Sequence, residues 1–429
     1  MARQMKDSGV EWIGEIPEGW NVVRIGSQYT ERKTKVSDTE YPPLSVTMKG
    51  ILPQLSTAAK TDAHDDRKLV CVGDFAINSR SDRRGSCGIS AYDGSVSLIN
   101  TILCPRDEMN PHYYDWLFHS TMFSDEFYKW GHGIVDDLWT TNWQDMKRIS
   151  IPEPPLSEQR RIAAFLDRRC AEIDAVIERT KATIEEYKKL KQAVITEAVT
   201  KGVRGERKMK DSGIEYCDAI PSNWSITRMA FANWIRARLG WKGLKAEEYV
   251  DIGYPFLSAF NIINDKLVWC DLNHITQERY DESPEIKLSV GDILLVKDGA
   301  GIGKCGRIDE LPLGEATVNS SLAVITPNES LYYKYEYYYF LCDTFQKVIT
   351  VLRNGMGVPH LTQEIMKSIR LTLPPIAEQV EIAAYLDEKC AALDTLIAKK
   401  TALLTELETY KKSLIYEYVT GKKEVPACP

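Results

Sequence analysis

Two long stretches of the chain carry apolar side chains at alternating steps of four and three residues. The first runs from about Glu158 to Thr200 without a glycine or proline, and the second begins near Ile376. This spacing is the heptad pattern of helices that wrap around each other. The repeating positions are Leu166, Cys170, Ile173, Ile177, Thr180, Ile184, Tyr187, Lys191, Val194 and Ala198 in the first stretch, and Leu386, Cys390, Leu393, Ile397, Lys400, Leu404, Leu407, Lys411, Leu414 and Tyr418 in the second. A helix of about 43 residues is roughly 60 Å long, so we expect the two helices to pair as an antiparallel coiled coil.

Polar residues in these stretches bear on how the helices pair and begin. Lys191 and Lys411 occupy equivalent positions of the two seams. A polar seam residue commonly sets the register of a coiled coil, while the alternative is that both lysine stems snorkel at loose ends. The first helix has the capping hydroxyl of Ser157 where the second has Ala377, so we expect the second helix to fray more at its start.

The chain contains two copies of one pattern. Each copy opens with Met-Lys-Asp-Ser-Gly and an Ile-Pro pair before a tryptophan, and closes with Pro-Pro, Glu-Gln and an Ala-Ala-aromatic-Leu-Asp run. The opening motifs are Met5–Gly9 with Ile16, Pro17 and Trp20, and Met209–Gly213 with Ile220, Pro221 and Trp224; the closing motifs are Pro154-Pro155, Glu158-Gln159 and Ala163–Asp167, and Pro374-Pro375, Glu378-Gln379 and Ala383–Asp387. The openings are offset by 204 residues and the closings by 220. Such repetition indicates an internal duplication with a longer second middle region.

The two middle regions share a weaker skeleton. Gly73-Asp74 and Gly291-Asp292 each precede a short apolar strand and a polar loop that contains glycine. We expect a second strand around 97–103 and 320–325, followed by an aromatic-rich helix at 113–130 and 332–350. The predicted fold is therefore α+β, with two globular domains separated by two long helices and related by a pseudo-two-fold repeat. The predicted boundaries are 1–152 for the first domain, 153–204 for the first helical spacer, 205–372 for the second domain and 373–429 for the second spacer.

Composition limits the class of protein. With 429 residues, 44% hydrophobic and 27% charged, the chain is too long for one core and too apolar for a disordered protein. We find no apolar run near 20 residues and no signal peptide, so we expect a cytoplasmic protein without a membrane span. The ten cysteines are scattered without a CxxC spacing, which predicts inert thiols and no metal site. A net charge of −7 disfavours non-specific coating of nucleic acid but allows a locally basic cleft.

Motifs that suggest chemistry have simpler explanations. Gly301–Gly306 matches GxGxxG, but Pro312 soon follows and no helix is predicted to hold a pyrophosphate. The acidic stretch Asp281–Lys287 contains Pro284 and is absent from the other copy, so it is expected to be a solvated loop. The tyrosines of 332–340 could stack bases, although their helical spacing favours packing. No arrangement for nucleophilic catalysis is found, and we expect a non-catalytic protein.

Basic clusters in polar loops are the candidate contacts to nucleic acid. Arginine and lysine neutralise phosphate, and arginine can also bind guanine through two hydrogen bonds. The candidates are Ser79, Arg80, Arg83 and Arg84 in the first middle region, Arg236, Arg238 and Lys242 near Trp234 and Trp241 in the second, and Lys297 and Lys304 in its glycine loop. The alternative for each cluster is an ordinary solvated loop.

Two different domains held apart by long helices predict a ligand with two parts and a fixed gap. Duplex DNA fits this description, because each domain would specify one half-site and the helices would fix the unread base pairs between them. The alternative from another class is a non-catalytic coiled-coil adaptor whose variable domains bind proteins.

The chain resembles the specificity subunit of type I restriction–modification systems. The resemblance covers essentially the whole chain and rests on the repeated opening motifs, on the repeated closing motifs, and on the Gly-Asp pair before a strand in each middle region. It implies two target-recognition domains, non-catalytic recognition of double-stranded DNA, and assembly with two DNA adenine methyltransferase subunits and with endonuclease/translocase subunits. It also implies S-adenosylmethionine, ATP and Mg²⁺ as cofactors of those partners, with none bound by this chain. The methyltransferase motifs Asn-Pro-Pro-Tyr/Phe and Phe-x-Gly-x-Gly are absent from the sequence.

Overall fold

The computed structural model describes residues 3–54, 66–80, 83–106, 108–133, 139–238, 244–354 and 360–426. The chain divides into two compact units. Unit 1 comprises residues 1–181 and 402–429, and unit 2 comprises residues 182–401. Each long helix therefore contributes one part of its length to each unit. Among the described residues, no helix combines the length and apolar character needed to span a membrane.

Unit 1 is a mixed helix and strand unit. Its strands are β1 (Met5–Asp7), β2 (Glu15–Pro17), β3 (Asn21–Arg24), β4 (Tyr29–Glu31), β5 (Lys35–Val36), β6 (Leu44–Thr47), β7 (Gly50–Pro53), β8 (Arg67–Val70), β9 (Phe75–Asn78), β10 (Cys87–Ile89), β11 (Gly94–Ser97), β12 (Asn100–Pro105) and β13 (Ser150–Glu153). The helices that begin in this unit are α1 (Ile25–Gln28), α2 (Pro111–Phe118), α3 (Thr121–Lys129), α4 (Trp143–Met146) and α5 (Leu156–Lys201).

Unit 2 repeats this order of elements with small differences. Its strands are β14 (Met209–Ile214), β15 (Cys217–Pro221), β16 (Ser225–Arg228), β17 (Asn233–Ala237), β18 (Tyr254–Leu257), β19 (Ile262–Ile263), β20 (Lys266–Leu267), β21 (Asn273–Ile275), β22 (Ile293–Val296), β23 (Cys305–Arg307), β24 (Thr317–Val318), β25 (Leu322–Pro327) and β26 (Arg370–Leu373). Its helices are α6 (Met229–Ala232), α7 (Gln277–Asp281), α8 (Tyr333–Leu341), α9 (Asp343–Asn354), α10 (Gln363–Ser368) and α11 (Ile376–Val419).

The central sheets of the two units match residue by residue. The strand order β10-β9-β12-β4 of unit 1 recurs as β23-β22-β25-β17 in unit 2. Phe75 lies opposite Leu103 in the first sheet, and the equivalent Ile293 lies opposite Ile325 in the second. A shift by one residue would turn every side chain to the other face, so the shared register shows that the duplication extends through the variable middle regions.

The heptad stretches form the two long helices, whose paired parts run antiparallel within unit 1. Phe165 of α5 packs against Tyr418 of α11 with ring centroids 4.5 Å apart, while Asp174, further along α5, meets Lys411, earlier in α11. In unit 2 the last turns of α5 share a core with the first turns of α11. The expected α+β class with two domains and a coiled-coil pairing of long helices is confirmed.

Two local expectations require correction. The single aromatic-rich helix expected in each middle region is a pair of helices, α2–α3 and α8–α9. In unit 1 the break falls at Ser120, whose hydroxyl accepts a hydrogen bond from the Phe123 amide and caps α3. In addition, α5 begins at Leu156. Ser157 is thus inside the first turn and is not a cap. The expectation that α11 frays more than α5 at its start is therefore not supported.

Candidate nucleic-acid interface

An arginine–aspartate ion pair holds the turn before the central strand of each unit. In unit 1 the Asp74 carboxylate, 3% exposed, accepts hydrogen bonds of 2.6 and 2.9 Å from Arg32 and one of 2.8 Å from the Cys71 amide. In unit 2 Asp292 binds Arg236 and the Ser289 amide in the same way. The aspartate of each Gly-Asp motif therefore fixes the turn that leads into the central strand, β9 or β22.

The same geometry corrects the role expected for two arginines. Arg236 is the equivalent of Arg32, is 6% exposed, and is held by Asp292. Arg238 is 3% exposed and donates to the Val318 carbonyl oxygen at 3.3 Å, and burial lowers its pKa. Both guanidinium groups lie in the interior of unit 2 and do not belong to the candidate interface. Lys242 and Trp241 lie outside the described residues.

The basic loop of unit 1 follows β9 directly. Ser79, half-buried, exchanges a hydrogen bond of 2.9 Å with the Thr101 hydroxyl. Arg84 lies 3.8 Å above the ring of Tyr128 and 3.4 Å from an Asp125 oxygen, with about half of its side chain exposed. Arg83 is exposed and Arg80 is half-buried. Three arginines in one loop on a rigid strand end provide the phosphate- and base-binding groups expected of a DNA contact.

The loop after β22 in unit 2 has a different charge pattern. Lys297 is 8% exposed and donates to the Asp298 carboxylate at 2.8 Å. Burial raises the pKa of Asp298, but hydrogen bonds from Lys297 and His360 outweigh it, so the pKa lies below its ordinary value. Lys304 is exposed at the end of the loop. The GxGxxG stretch forms a turn that leads into strand β23.

A second chain segment lies beside each loop, and its residues are not among the site residues predicted from the sequence. The Thr141 amide donates to the Ser79 carbonyl oxygen at 3.0 Å, and the Leu361 amide donates to the Lys297 carbonyl oxygen at 2.9 Å. Immediately beside these hydrogen bonds, Arg80 faces Thr140 and Asp298 faces His360 in isolated β-bridges. The sequence does indicate that Thr140 and His360 are equivalent, because they are separated by 220 residues, the same offset that separates the closing motifs.

An exposed apolar side chain also follows a related sequence motif in each unit. Tyr-Pro-x-Leu-Ser occurs at Tyr41–Ser45 and again at Tyr254–Ser258. Just beyond it, Met48 is 72% exposed and Phe260 is 89% exposed. In unit 2 the motif lies on β18 and is joined to the loop through residues 319–321, because the Asn319 amide donates to Leu257 and the Lys297 amide donates to Ser321. In unit 2 an exposed phenylalanine therefore follows the strand that is joined to the polar loop.

The seam residues lie as a coiled coil requires. All positions of the two predicted seams are buried or half-buried, including the proposed spacer residues Leu166, Ile173, Ile177, Ile184, Lys191, Val194, Leu386, Leu393, Ile397, Leu404, Lys411 and Leu414. Lys191 donates to Asp394 at 2.7 Å in unit 2, and Lys411 donates to Asp174 at 2.6 Å in unit 1. Each lysine thus meets an aspartate on the other helix, which favours a role in register over snorkelling.

The repeated motifs attach each unit's opening hairpin to a helix start. Arg3 pairs with Glu158 at 2.7 Å and lies over Trp20, while Arg207 pairs with Glu378 and lies over Trp224. The Gln159 side chain accepts from the Asn110 amide at 2.9 Å, and Gln379 accepts from Tyr332 at 2.7 Å. These motif residues hold the domains on the helices. Within the described ranges, no group of three or more histidine, cysteine, aspartate or glutamate side chains is placed to hold a metal ion.

These features define an internally duplicated α+β protein in which each copy joins a long helix and presents different side chains at the same sheet edge. Residues 241–408 match the family model described as the type I restriction modification DNA specificity domain. The chain is 25% identical to the type I restriction enzyme MjaVIII specificity subunit of Methanocaldococcus jannaschii over 96% of this chain and 94% of that protein. The putative MjaX specificity subunit of the same organism is 23% identical over 96% of both chains.

Solved structures agree on the fold. A chain from a structure described as the basis of complex assembly and conformational transition of the type I R-M system matches with a TM-score of 0.73 and 17% identity, over 95% of this chain and 99% of that one. The HsdS subunit of Thermoanaerobacter tengcongensis matches with a TM-score of 0.52 and 18% identity, over 95% and 98%. The chain is thus similar in sequence to type I restriction–modification specificity subunits along nearly its whole length, and it shares the fold of the solved HsdS subunit.

Proposed function

We propose that this chain is the DNA sequence-recognition subunit of a type I restriction–modification complex. It reads a bipartite duplex site, with one half-site bound by each recognition domain and a spacer set by α5 and α11. The observation that carries this proposal is the match of residues 241–408 to a DNA specificity domain, together with the register-for-register copy of the same sheet in unit 1. A DNA specificity domain in unit 2 and its copy in unit 1 would each bind one of the two half-sites.

We assign the recognition domains to residues 1–152 and 205–372 and the helical spacers to 153–204 and 373–429. The side chains proposed to meet DNA are Ser79, Arg80, Arg83 and Arg84 in the first domain, and Lys304 with the Asp298–His360 pair in the second. The chain itself performs no chemistry. It directs two adenine methyltransferase subunits, which use S-adenosylmethionine, and endonuclease/translocase subunits, which use ATP and Mg²⁺, to the site.

Mapping of modified bases tests this function. The chain is co-expressed with its cognate methyltransferase subunit in a host free of adenine methylation, and modified adenines are located by single-molecule sequencing. We expect one motif of two half-sites with a constant spacer. A stable complex that leaves the genome unmethylated and retains no duplex from a random pool would support the protein-binding adaptor and overturn the proposal.

A further inference from the structure

The two units place different side chains at one equivalent point of their folds. This point, called the bridge position here, is formed by Arg80 and Thr140 in unit 1 and by Asp298 and His360 in unit 2. In each unit it lies just past the end of the second strand of the central sheet, beside a backbone hydrogen bond that joins two distant chain segments. Equivalent scaffolds with different side chains are what two domains of different specificity require.

Hydrogen bonds fix the backbone at the bridge position. The Arg80 amide donates to the Asn78 side chain at 3.0 Å, and the Lys297 amide donates to the Ser321 carbonyl oxygen at 2.9 Å. Asn142 and Thr362, two residues past the bridge, cap the short helices α4 and α10 with their side chains. The side chains at this position are therefore presented from an ordered frame, which base recognition needs.

The hydrogen-bonding capacity at the bridge position is opposite in the two units. The guanidinium group of Arg80 only donates hydrogen bonds. In unit 2 the Nδ1 atom of His360 is bonded to the Asp298 carboxylate. Because a carboxylate only accepts, Nδ1 carries the hydrogen, and in that tautomer Nε2 is an acceptor. About 44% of the His360 side chain is exposed, and Lys297 holds Asp298 from the other side.

We propose that the bridge position determines one base pair of each half-site, an inference that rests on the proposed function. Arg80 donates to O6 and N7 of a guanine in the half-site read by unit 1. His360 accepts from the amino group of a cytosine or adenine in the other half-site, and Asp298 is its positioning residue. The pairing follows from base chemistry, since guanine presents two acceptors in the major groove while cytosine and adenine present an amino donor.

The test maps the methylated motif for single variants of the full chain in complex with its methyltransferase partner. Arg80→Ala is expected to relax one position of one half-site, where the wild-type motif has a G·C pair, and to leave the other half-site and the spacer unchanged. His360→Ala is expected to relax one position of the other half-site only. Discrimination at each position should fall by roughly ten- to a hundredfold.

Asp298→Asn distinguishes positioning from contact. It should relax the same base pair as His360→Ala, and the double variant should show no further loss. Arg80→Gln and His360→Asn serve as second variants, and each complex is required to keep the wild-type unfolding midpoint. Two matched controls should retain the full motif: Arg106→Ala, an exposed arginine at the opposite end of β12, and His112→Ala, an exposed histidine on α2.

The outcomes separate the inference from the proposed function. If the wild-type complex yields no bipartite motif, the proposed function fails. If the wild-type motif is bipartite but Arg80→Ala and His360→Ala leave it unchanged, the bridge position does not read bases and the inference is overturned. A uniform loss of methylation at all positions would also overturn it, because a purely structural role affects both half-sites alike.

Discussion

Glu336 is the buried ionisable group whose replacement gives the clearest physical prediction. The side chain is fully buried on α8, and the Asn233 amide donates to one of its oxygens at 2.6 Å. The equivalent residues of unit 1 are Tyr114 and Tyr29, whose rings pack 6.1 Å apart. A carboxyl group thus stands in unit 2 where unit 1 has an uncharged aromatic pair. Burial raises the pKa of Glu336 from 4.5 to about 8, although the hydrogen bond from Asn233 acts in the opposite direction.

This shift makes the stability of unit 2 depend on pH. The raised pKa means that the folded state holds the proton more tightly than the unfolded state. The stabilisation of the folded state by this proton is fully present below pH 4.5, the pKa of the group in the unfolded chain. It is lost as the pH rises towards about 8, the pKa in the folded state. Linkage gives a loss of roughly 2–3 kcal/mol between pH 5 and pH 7 from this one group. Glu336→Gln, which cannot ionise, should remove that loss.

Hydrogen exchange of the α8 amides measures the effect locally. Protection of residues 333–341 is followed from pH 5 to pH 8 and corrected for the intrinsic exchange rate at each pH. We expect the free energy of opening in the Gln variant to exceed that of the wild type by an amount that grows with pH. Glu329→Gln, at an exposed position before α8, should show the wild-type profile. A constant difference between Glu336→Gln and wild type across this range would refute the argument.

Three further predictions concern the helices and the loops. Deleting one heptad at equivalent points of the two long helices, residues 181–187 of α5 and 401–407 of α11, shortens each helix by about 10 Å. The spacer of the methylated motif should then be shorter by about three base pairs. Altered half-sites would contradict the spacer role of the helices. The double variant Arg83→Ala, Arg84→Ala should bind DNA more weakly. The slope of the logarithm of the binding constant against the logarithm of the salt concentration should become less steep by up to about two. An unchanged slope would show that this loop does not contact DNA. Lys411→Ala should lower the free energy of unfolding by less than about 1 kcal/mol, because its ion pair with Asp174 is partly exposed. A variant in which Lys411 and Asp174 are exchanged should have the wild-type unfolding midpoint if the pair acts through charge.

The features predictable from the sequence are those with a local period or a fixed offset. The heptad steps predict α5 and α11 to within two residues of their observed ends, because one apolar stripe must be covered along the whole length of a helix. The Gly-Asp pairs locate β9 and β22 because a turn and an apolar run are local signals. The break of the aromatic helix at Ser120 also has a local signal, because serine is a common helix cap.

The candidate site was harder to predict because charge alone does not reveal burial. Arg236 and Arg238 stand near tryptophans in the sequence and suggest a basic surface, yet both are buried against protein acceptors. For Arg236 the offset of 204 would have identified the equivalent Arg32, whose partner Asp74 lies in the Gly-Asp motif. The offset of 220 relates Thr140 to His360, but their pairing with Arg80 and Asp298 could not be predicted, because it joins segments far apart in the chain.

Binding of the assembled complex to synthetic duplexes tests the central claim most directly. The duplexes carry both half-sites of the mapped motif, with the spacer at its mapped length or changed by one or two base pairs, or carry one half-site with random sequence in place of the other. The account predicts tight binding only with both half-sites at the mapped spacing. Equal binding to all spacers, or to either half-site alone, would contradict the recognition of one bipartite site by two domains.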